Sequence, residues 1–506
     1  MTKAAVEPKT LAAVETPASL RSTNPANGDL VAEFPVLAAA EVDAAVAAAR
    51  AATTSWEEQG FAARGECLLR WAGYLSEHAD ELSDLVHREN GKPREDAYLE
   101  LILALEHIRW SAKTAESVLK TRAVRPGLLM ANFAATIEYR PMGVVGVIGP
   151  WNYPLYTPAG SAGYALAAGN TVVFKPSEYT TAAGVYFAEA FAKANPDVPA
   201  GVFTAITGFG ATGAALCAAR VDKVAFTGST ATGKKIMAAC APRLVPVILE
   251  CGGKDVLIVA DDANVKAAAK AAAFGGMSNS GQTCVGVERV YVVDSVRERF
   301  LSALAKELDG IRAGSDDSAA YGPMTMPSQI EVVRRHVADA LAHGGKAFIG
   351  GLDSIRPPYV DPIVLLDTDE ASAAVREETF GPTLTVRSVP DIDEAIRLAN
   401  ASDYGLASTV FSRRNGPAIA RRLRVGATSI NAPLAFGAIP TLPFGGIGDS
   451  GFGRIHGAEG LREFARVQSI ARQRFAIPGV ALLSFGRSAR LMDVVRRFIT
   501  ARHRSA

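Results

Sequence analysis

The sequence predicts an α/β protein built from two lobes, each with a parallel sheet. Short apolar runs rich in Val, Ile and Phe alternate with helical segments, the pattern of parallel strands buried on both faces. The runs end in Gly, Pro or polar residues, where a buried strand turns back toward a helix. The alternation also begins twice, near Gly143 and again near Val256, with a boundary near Glu250.

The chain is long enough for such a fold: 506 residues, 49% hydrophobic and 21% charged. That composition reads as a well-packed globular protein with a large core. A net charge of +1 gives no global electrostatic case for nucleic acid. The five cysteines are scattered, without a C-x-x-C pair or a Cys/His cluster, so no disulfide framework and no metal site is expected. The N-terminus lacks a cationic segment followed by an apolar run, so no signal peptide is expected. No run is long enough to span a bilayer, and a cytoplasmic location follows.

Taken in order, the first 25 or so residues are rich in Ala, Thr and Pro and are expected to form an extended arm. Helical spacing follows from Ala40 to Ala52, then through "CLLRWAGYLSEHADELSDLVHREN", which stops at Asn90-Gly91 with Pro93 beyond. A further helix is expected from about Asp96 to Leu119. The strand runs of the first lobe are "GVVGVIGPW", "NTVVFKPSE", "GVFTAITGFG" and "KVAFTGST", with a helix such as Ala182 to Ala194 between them. The second lobe opens with "VLIVADDA" and "ERVYVVDS".

Open α/β sheets bind ligands beyond the carboxyl ends of their strands. There the sequence places Lys175 and Glu178, three apart and able to reach ribose hydroxyls. It also places the turn "TGSTATGK", whose free N–H groups open a helix and suit a pyrophosphate. This turn is not a phosphate-binding G-x-x-x-x-G-K-[ST] loop, because Lys235 follows Lys234. An ordinary strand-to-helix turn also needs glycine. Glu250 ends the apolar run "VPVIL", where burial should raise its pKa toward that of a general base; an ordinary strand-end carboxylate is the plainer reading. Cys284 in "SNSGQTCV" is either a small buried apolar residue or a nucleophile. As a nucleophile it needs oxyanion donors, and the Asn152 amide in "PWNYP" is one candidate.

"PWNYP", "FKPSE", "FTGSTATGK", "LECGGK", "GQTC", "EETFGP", Ile430-Asn431 and "PFGGIGDSGFGR" occur in this order. Together they resemble the NAD(P)-dependent aldehyde dehydrogenase superfamily, its non-acylating, hydrolytic type, over roughly residues 22–472. The resemblance implies Cys284 as nucleophile, Asn152 with the Cys284 backbone N–H as oxyanion site, and Glu250 as the base that hydrolyses a thioester. It implies a thiohemiacetal intermediate and no metal. It implies that Lys175 and Glu178 hold the adenosine ribose and that Gly228 and Ser229 sit at the pyrophosphate. Glu378 would meet the nicotinamide ribose, Phe380 the nicotinamide ring, and Trp151 the cofactor side. A carboxylate at Glu178 repels a 2′-phosphate, so NAD is expected as cofactor, with NADP also admitted. A thioester hydrolase or CoA-acylating relative is one competing reading, and a catalytically silent structural or binding protein on the same scaffold is the other. Glu250 argues against the acylating branch, and Cys284, Glu250 and Asn152 together argue against the second.

The family architecture implies a Rossmann-like NAD-binding domain (residues 1–120 and 144–249), a catalytic domain (250–445) and a small β-flap for oligomerisation (121–143 and 464–475). A homodimer or tetramer is implied. Departures bear on the substrate. Cys251 stands where Leu is common, a small apolar exchange. The segment from Asn431 to Pro443 looks longer than usual. Gly160 stands where some relatives carry Trp or Arg, which implies a wider tunnel mouth without a carboxylate clamp. Tyr153, Tyr156 and Phe444 are expected to add aromatic lining. A medium-chain or aromatic aldehyde follows, with an NADP-dependent semialdehyde dehydrogenase as the alternative.

Residues 476–506 fall outside the resemblance. Leu491, Val494, Val495, Phe498 and Ile499 share one helical face, and between Arg487 and Arg504 stand six arginines and one acid, Asp493. Such a basic amphipathic helix either packs on its own or a partner subunit, or makes peripheral contact with the inner face of a membrane.

Overall fold

The computed structural model describes residues 18–316, 318–476 and 485–504. Four helices open the fold: Ala39–Glu58, Gly60–Glu77, Ala79–Asn90 and Arg94–Leu119. Gly91 ends the third in the left-handed conformation (φ 89°), the stop that Asn90-Gly91 predicts. The expected N-terminal arm is corrected in part. Ser19–Thr23 pairs antiparallel with Leu30–Pro35 as a hairpin, because Asn24 to Asp29 close a hydrogen-bonded turn. Residues 1–17 lie outside the described residues.

The first sheet holds five parallel strands in the spatial order Val247–Glu250, Lys223–Thr227, Val144–Ile148, Thr171–Lys175, Phe203–Ala205. The chain enters at Val144–Ile148, builds outward on one side, then crosses to build on the other. Its strand order therefore reverses between Val144–Ile148 and Lys223–Thr227, the switch point at which such sheets leave a crevice. The short strand Gly451–Phe452 returns from the C-terminal part to pair with Val247–Glu250.

The second sheet runs Lys346–Ile349, Ile363–Leu366, Thr383–Val389, Val287–Val293, Asp255–Val259, Ala407–Phe411, Ala427–Ile430. Among these pairings only that of Lys346–Ile349 is antiparallel. Every residue of Val144–Ile148, Thr171–Lys175 and Asp255–Val259 is buried, which is why these strands read as unbroken apolar runs. A three-stranded antiparallel sheet stands apart: Ala465–Gln473, Phe133–Pro141, Arg122–Val124. Among the described residues no helix is long and apolar enough to cross a membrane.

Candidate active site

Cys284 is presented by a turn with an unusual backbone. After the helix Val265–Met277, residues Asn279, Ser280 and Gly281 adopt φ 52°, 58° and 70°. Asn tolerates this region because its amide bonds locally. Here Asn279 Nδ2 donates to the carbonyls of Asn152 and Gln282, both at 3.2 Å. Gly281 has no substitute, since a Cβ there would land on the Gly381 carbonyl. That close approach seats the Cys284 turn against the loop that carries Phe380.

Asn152 follows the strand Val144–Ile148 and faces this turn. One N–H of its amide donates to the Gln282 carbonyl at 3.0 Å, leaving the second for a ligand. The Asn152 backbone carbonyl accepts from Lys92 Nζ at 2.7 Å. Lys92 pairs with Glu100 at 2.6 Å, both side chains buried. Glu100 also accepts the N–H groups of Leu155 (2.8 Å) and Tyr156 (3.2 Å). The pair thus fixes the backbone on both sides of Asn152. Sequence reading missed it: Lys92 lies in "NGKP", which registers only as a helix stop.

Glu250 is the last residue of its strand and is buried. Burial lifts its pKa to about 7, opposed by hydrogen bonds from the Gly252 N–H and from the Cys284 thiol. Its Oε2 is buried without a partner. The Cys284 thiol is pushed well up, first by burial, then by the carboxylates of Glu250, Asp255 and Glu378, while the Val285 N–H pulls the other way. At rest the cysteine is therefore a neutral thiol beside a carboxyl able to accept its proton.

These three residues line the inner end of a cavity of about 590 Å³ that continues past Trp151, Glu378 and Phe380 to Lys175, Glu178, Gly228 and Ser229. The cavity follows the carboxyl ends of the first sheet. Lys175 Nζ lies 3.5 Å from Glu178 and donates to the Pro176 carbonyl at 3.0 Å. Ser229 caps the helix Thr230–Cys240 by accepting the Thr232 N–H at 3.3 Å, so the positive end of that helix opens onto the cavity. Glu378 accepts the Gly253 N–H at 3.0 Å, and burial with the nearby Glu288 and Glu250 carboxylates raises its pKa well above normal. Phe380 holds φ 51° and stands edge-on to Trp151, ring centroids 5.5 Å apart. Its N–H and that of Thr379 donate to Glu288, each at 2.9 Å, and Glu288 pairs with buried Lys254. Lys254 and Glu288 were not legible as site residues. They hold the loop rather than face the cavity.

Residues 13–470 match the aldehyde dehydrogenase family. This chain belongs to the aldehyde dehydrogenases. It is 39% identical over 464 residues to the 4,4'-diapolycopene aldehyde oxidase of a Methylomonas species, covering 91% of this chain and 87% of that protein. It is 36% identical over 455 residues to the Mycobacterium bovis protein named "Putative succinate-semialdehyde dehydrogenase [NADP(+)] 2", covering 88% and 87%. Among solved structures it is similar to PnpE of Pseudomonas sp. WBC-3 in complex with nicotinamide adenine dinucleotide, with TM-score 0.86, 32% identity, and coverage of 91% and 96%.

The remaining predicted residues of this aldehyde dehydrogenase lie elsewhere. Tyr153, Tyr156 and Phe444 do not line the cavity just described. They pack beyond Cys284. Tyr153 Oη is 2.9 Å from the Thr283 hydroxyl, beside the cysteine. Tyr156 donates to the Gly437 carbonyl at 2.8 Å, and Phe444 lies 6.1 Å from Phe436. The wider tunnel mouth expected at Gly160 is corrected. Gly160 is buried, and a Cβ there would land on the imidazole of His456. The space that glycine leaves is filled by a ring from the far end of the chain, which glycine at 160 could not reveal.

Proposed function

We propose that this enzyme oxidises an uncharged, apolar aldehyde to its carboxylic acid with NAD, through a covalent bond to Cys284. The observation that supports this most is the convergence of Cys284, Glu250 and the Asn152 amide on one end of a cavity whose other end is shaped for a dinucleotide. The cavity suits that cofactor: a helix N-terminus at Ser229 for the pyrophosphate, and a Lys/Glu pair at 175 and 178 for a ribose. Glu378 and Phe380 lie nearer Cys284, at the position for the nicotinamide end. When bound, the nicotinamide accepts a hydride from the substrate carbon.

The protein's own residues supply the rest. Glu250 takes the thiol proton, and the Cys284 sulfur forms a bond to the aldehyde carbon. The free N–H of Asn152 and the Cys284 backbone N–H hold the resulting oxyanion. Loss of the hydride leaves a thioester. Glu250, its proton released, then deprotonates a water that attacks the thioester; the C–S bond breaks, the acid leaves and the thiolate returns. One aldehyde, one NAD and one water give one acid, one NADH and one proton.

An apolar substrate is favoured by the rings of Tyr153, Tyr156 and Phe444 and by the name of the Methylomonas relative. The nearby cation Lys92 is already engaged by Glu100, by the Asn152 carbonyl and by the Tyr153 ring, 4.2 Å from its centroid. It offers no clamp for a carboxylate tail. The Mycobacterium relative's name supports the second reading, succinic semialdehyde with NADP. Steady-state absorbance at 340 nm separates the two. We expect hexanal and benzaldehyde with NAD to exceed succinic semialdehyde with NADP in kcat/KM; a strong preference for the semialdehyde rejects the apolar reading.

We assign residues 1–120 and 144–249 to cofactor binding, 250–445 to catalysis and 121–143 with 464–475 to subunit pairing. The edge strand Ala465–Gln473 leaves nearly all its residues exposed, Val467 and Ile470 among them, and supports a homo-oligomer. The tail helix Ala489–His503 has no buried residue, with Val494 and Phe498 exposed. Leu491, Val495 and Ile499 on the same face are only half-buried, so part of the apolar face is open to a surface outside the protomer, and the arginines of the helix fit an anionic lipid surface. Co-sedimentation with anionic liposomes should be lost in a version ending at Arg474. Equal behaviour of the two proteins assigns the helix to a subunit contact instead.

A further inference from the structure

His456 unites three unusual features beside the aldehyde-side aromatics. Its backbone sits at φ 61°, ψ 166°, a region that almost only glycine adopts. Its ring is buried, and Nε2 has no hydrogen-bond partner. That nitrogen points at Gly160, where any side chain would collide with it. Each feature costs stability, and all three serve to keep one imidazole in one place.

The surroundings hold the ring there. His107 lies against it, ring centroids 3.8 Å apart. The Gly437 carbonyl can only accept, so His107 Nε2, 3.2 Å away, is the donor there, and Nδ1 is 3.4 Å from the Tyr164 hydroxyl. Burial pushes the pKa of His107 down to about 4 and that of His456 well below normal, so the pair carries no charge at neutral pH. Tyr156 and Phe444 flank His456 at 5.2 and 5.8 Å; Tyr156 stands edge-on to Tyr153, ring centroids 6.5 Å apart, and Tyr153 reaches the Thr283 hydroxyl, next to Cys284, at 2.9 Å. The backbones of Phe444 and Ile455 exchange hydrogen bonds of 2.7 and 2.8 Å, tying the segment before His456 to the Asn431–Pro443 loop.

We propose that His456 is the specificity-determining residue on the aldehyde side: its ring occupies the space left by Gly160 and limits the length and bulk of the aldehydes accepted. The selected class is uncharged aldehydes whose hydrocarbon part ends against this neutral ring. His107 is its positioning partner. The inference rests on the proposed aldehyde oxidation and deepens it.

The test is a two-residue cycle in the full-length enzyme, with Cys284, Glu250 and Asn152 retained. H456G relieves the backbone and empties the space. It should raise kcat/KM for 2-naphthaldehyde or dodecanal relative to hexanal by about tenfold, the scale of a pocket-size change. G160A should lower thermal stability and hexanal turnover in the wild-type background. In the H456G background the same change should be tolerated. An aldehyde ratio within about twofold of wild type in H456G, or equal effects of G160A in the two backgrounds, overturns the proposal. Thermal melts read the steric coupling without reference to activity. Wild-type inactivity toward every aldehyde would instead sink the oxidation reading, and the melts would still report whether His456 and Gly160 compete for one space.

Discussion

On one side of Cys284 the cavity is walled by strand ends, glycine turns and a helix N-terminus: Lys175 to Glu178, Thr227 to Ser229, Glu250 to Gly253. On the other side, outside that cavity, side chains from distant parts of the chain pack together: His107, Tyr153, Tyr156, Phe436, Phe444 and His456, the last against Gly160. The first side is backbone-built, so each contributing stretch is continuous in sequence and constrained by turn chemistry. The second is packing-built, and any residue of suitable shape can serve if its neighbour yields. On the proposed assignment, cofactor recognition is tied to local motifs, while substrate recognition is free to change through compensating pairs such as Gly160 and His456.

The largest effect is expected at the junction of the two sides. Cys284→Ser should lower kcat/KM for hexanal by on the order of 10⁴-fold or more, because one covalent step carries the pathway. Retention of activity would show that neither side is organised around this sulfur. Glu250→Gln should lower kcat by roughly 10²–10⁴-fold, the range for a lost general base. The pH profile tests the same group. In the proposed mechanism Glu250 acts as base in its ionised form, and burial raises its pKa to about 7, so kcat should fall as pH drops below that value. In Glu250→Gln this limb should vanish.

Lys92→Met probes the support behind the oxyanion site. It leaves Glu100 as a buried charge without its cation and removes one of the two donors to the Asn152 carbonyl, leaving Asn279 Nδ2. A displacement of about 1 Å in a catalytic group costs around 10²-fold in kcat, and breaking such a buried pair costs about 3–5 kcal/mol of stability. Kinetics and melting together check both. The smallest effect belongs to the cofactor side. Glu178→Ala should raise the NADP-to-NAD ratio of kcat/KM by about tenfold, equivalent to about 1.4 kcal/mol. An unchanged ratio would show that the carboxylate does not meet the ribose.

Legibility in the sequence follows the same division. The α/β class, the strand runs and the helix stop at Gly91 could be read because burial on two faces and left-handed turns leave local signatures. Cys284, Glu250 and Asn152 could be read because each sits in a turn whose neighbours are restricted; Gly281 is one such neighbour, forced by the Gly381 carbonyl. Lys92, Glu100, Lys254 and Glu288 escaped notice because a buried ion pair joins residues with no fixed spacing. Gly160 misled because a missing side chain says nothing about what fills its place. The hairpin at Ser19–Thr23 was read as an arm because two short, half-exposed strands have too weak a pattern to register.

The central claim is that Cys284 and Glu250 divide the reaction, one bonding the substrate and the other releasing it. Rapid mixing of the Glu250→Gln enzyme with saturating NAD and hexanal, followed at 340 nm and by intact-protein mass, tests this directly. The account predicts a single burst of NADH with an acyl group retained on Cys284 and negligible turnover afterward. Sustained turnover at the wild-type rate, or an acyl group on any other residue, would contradict it.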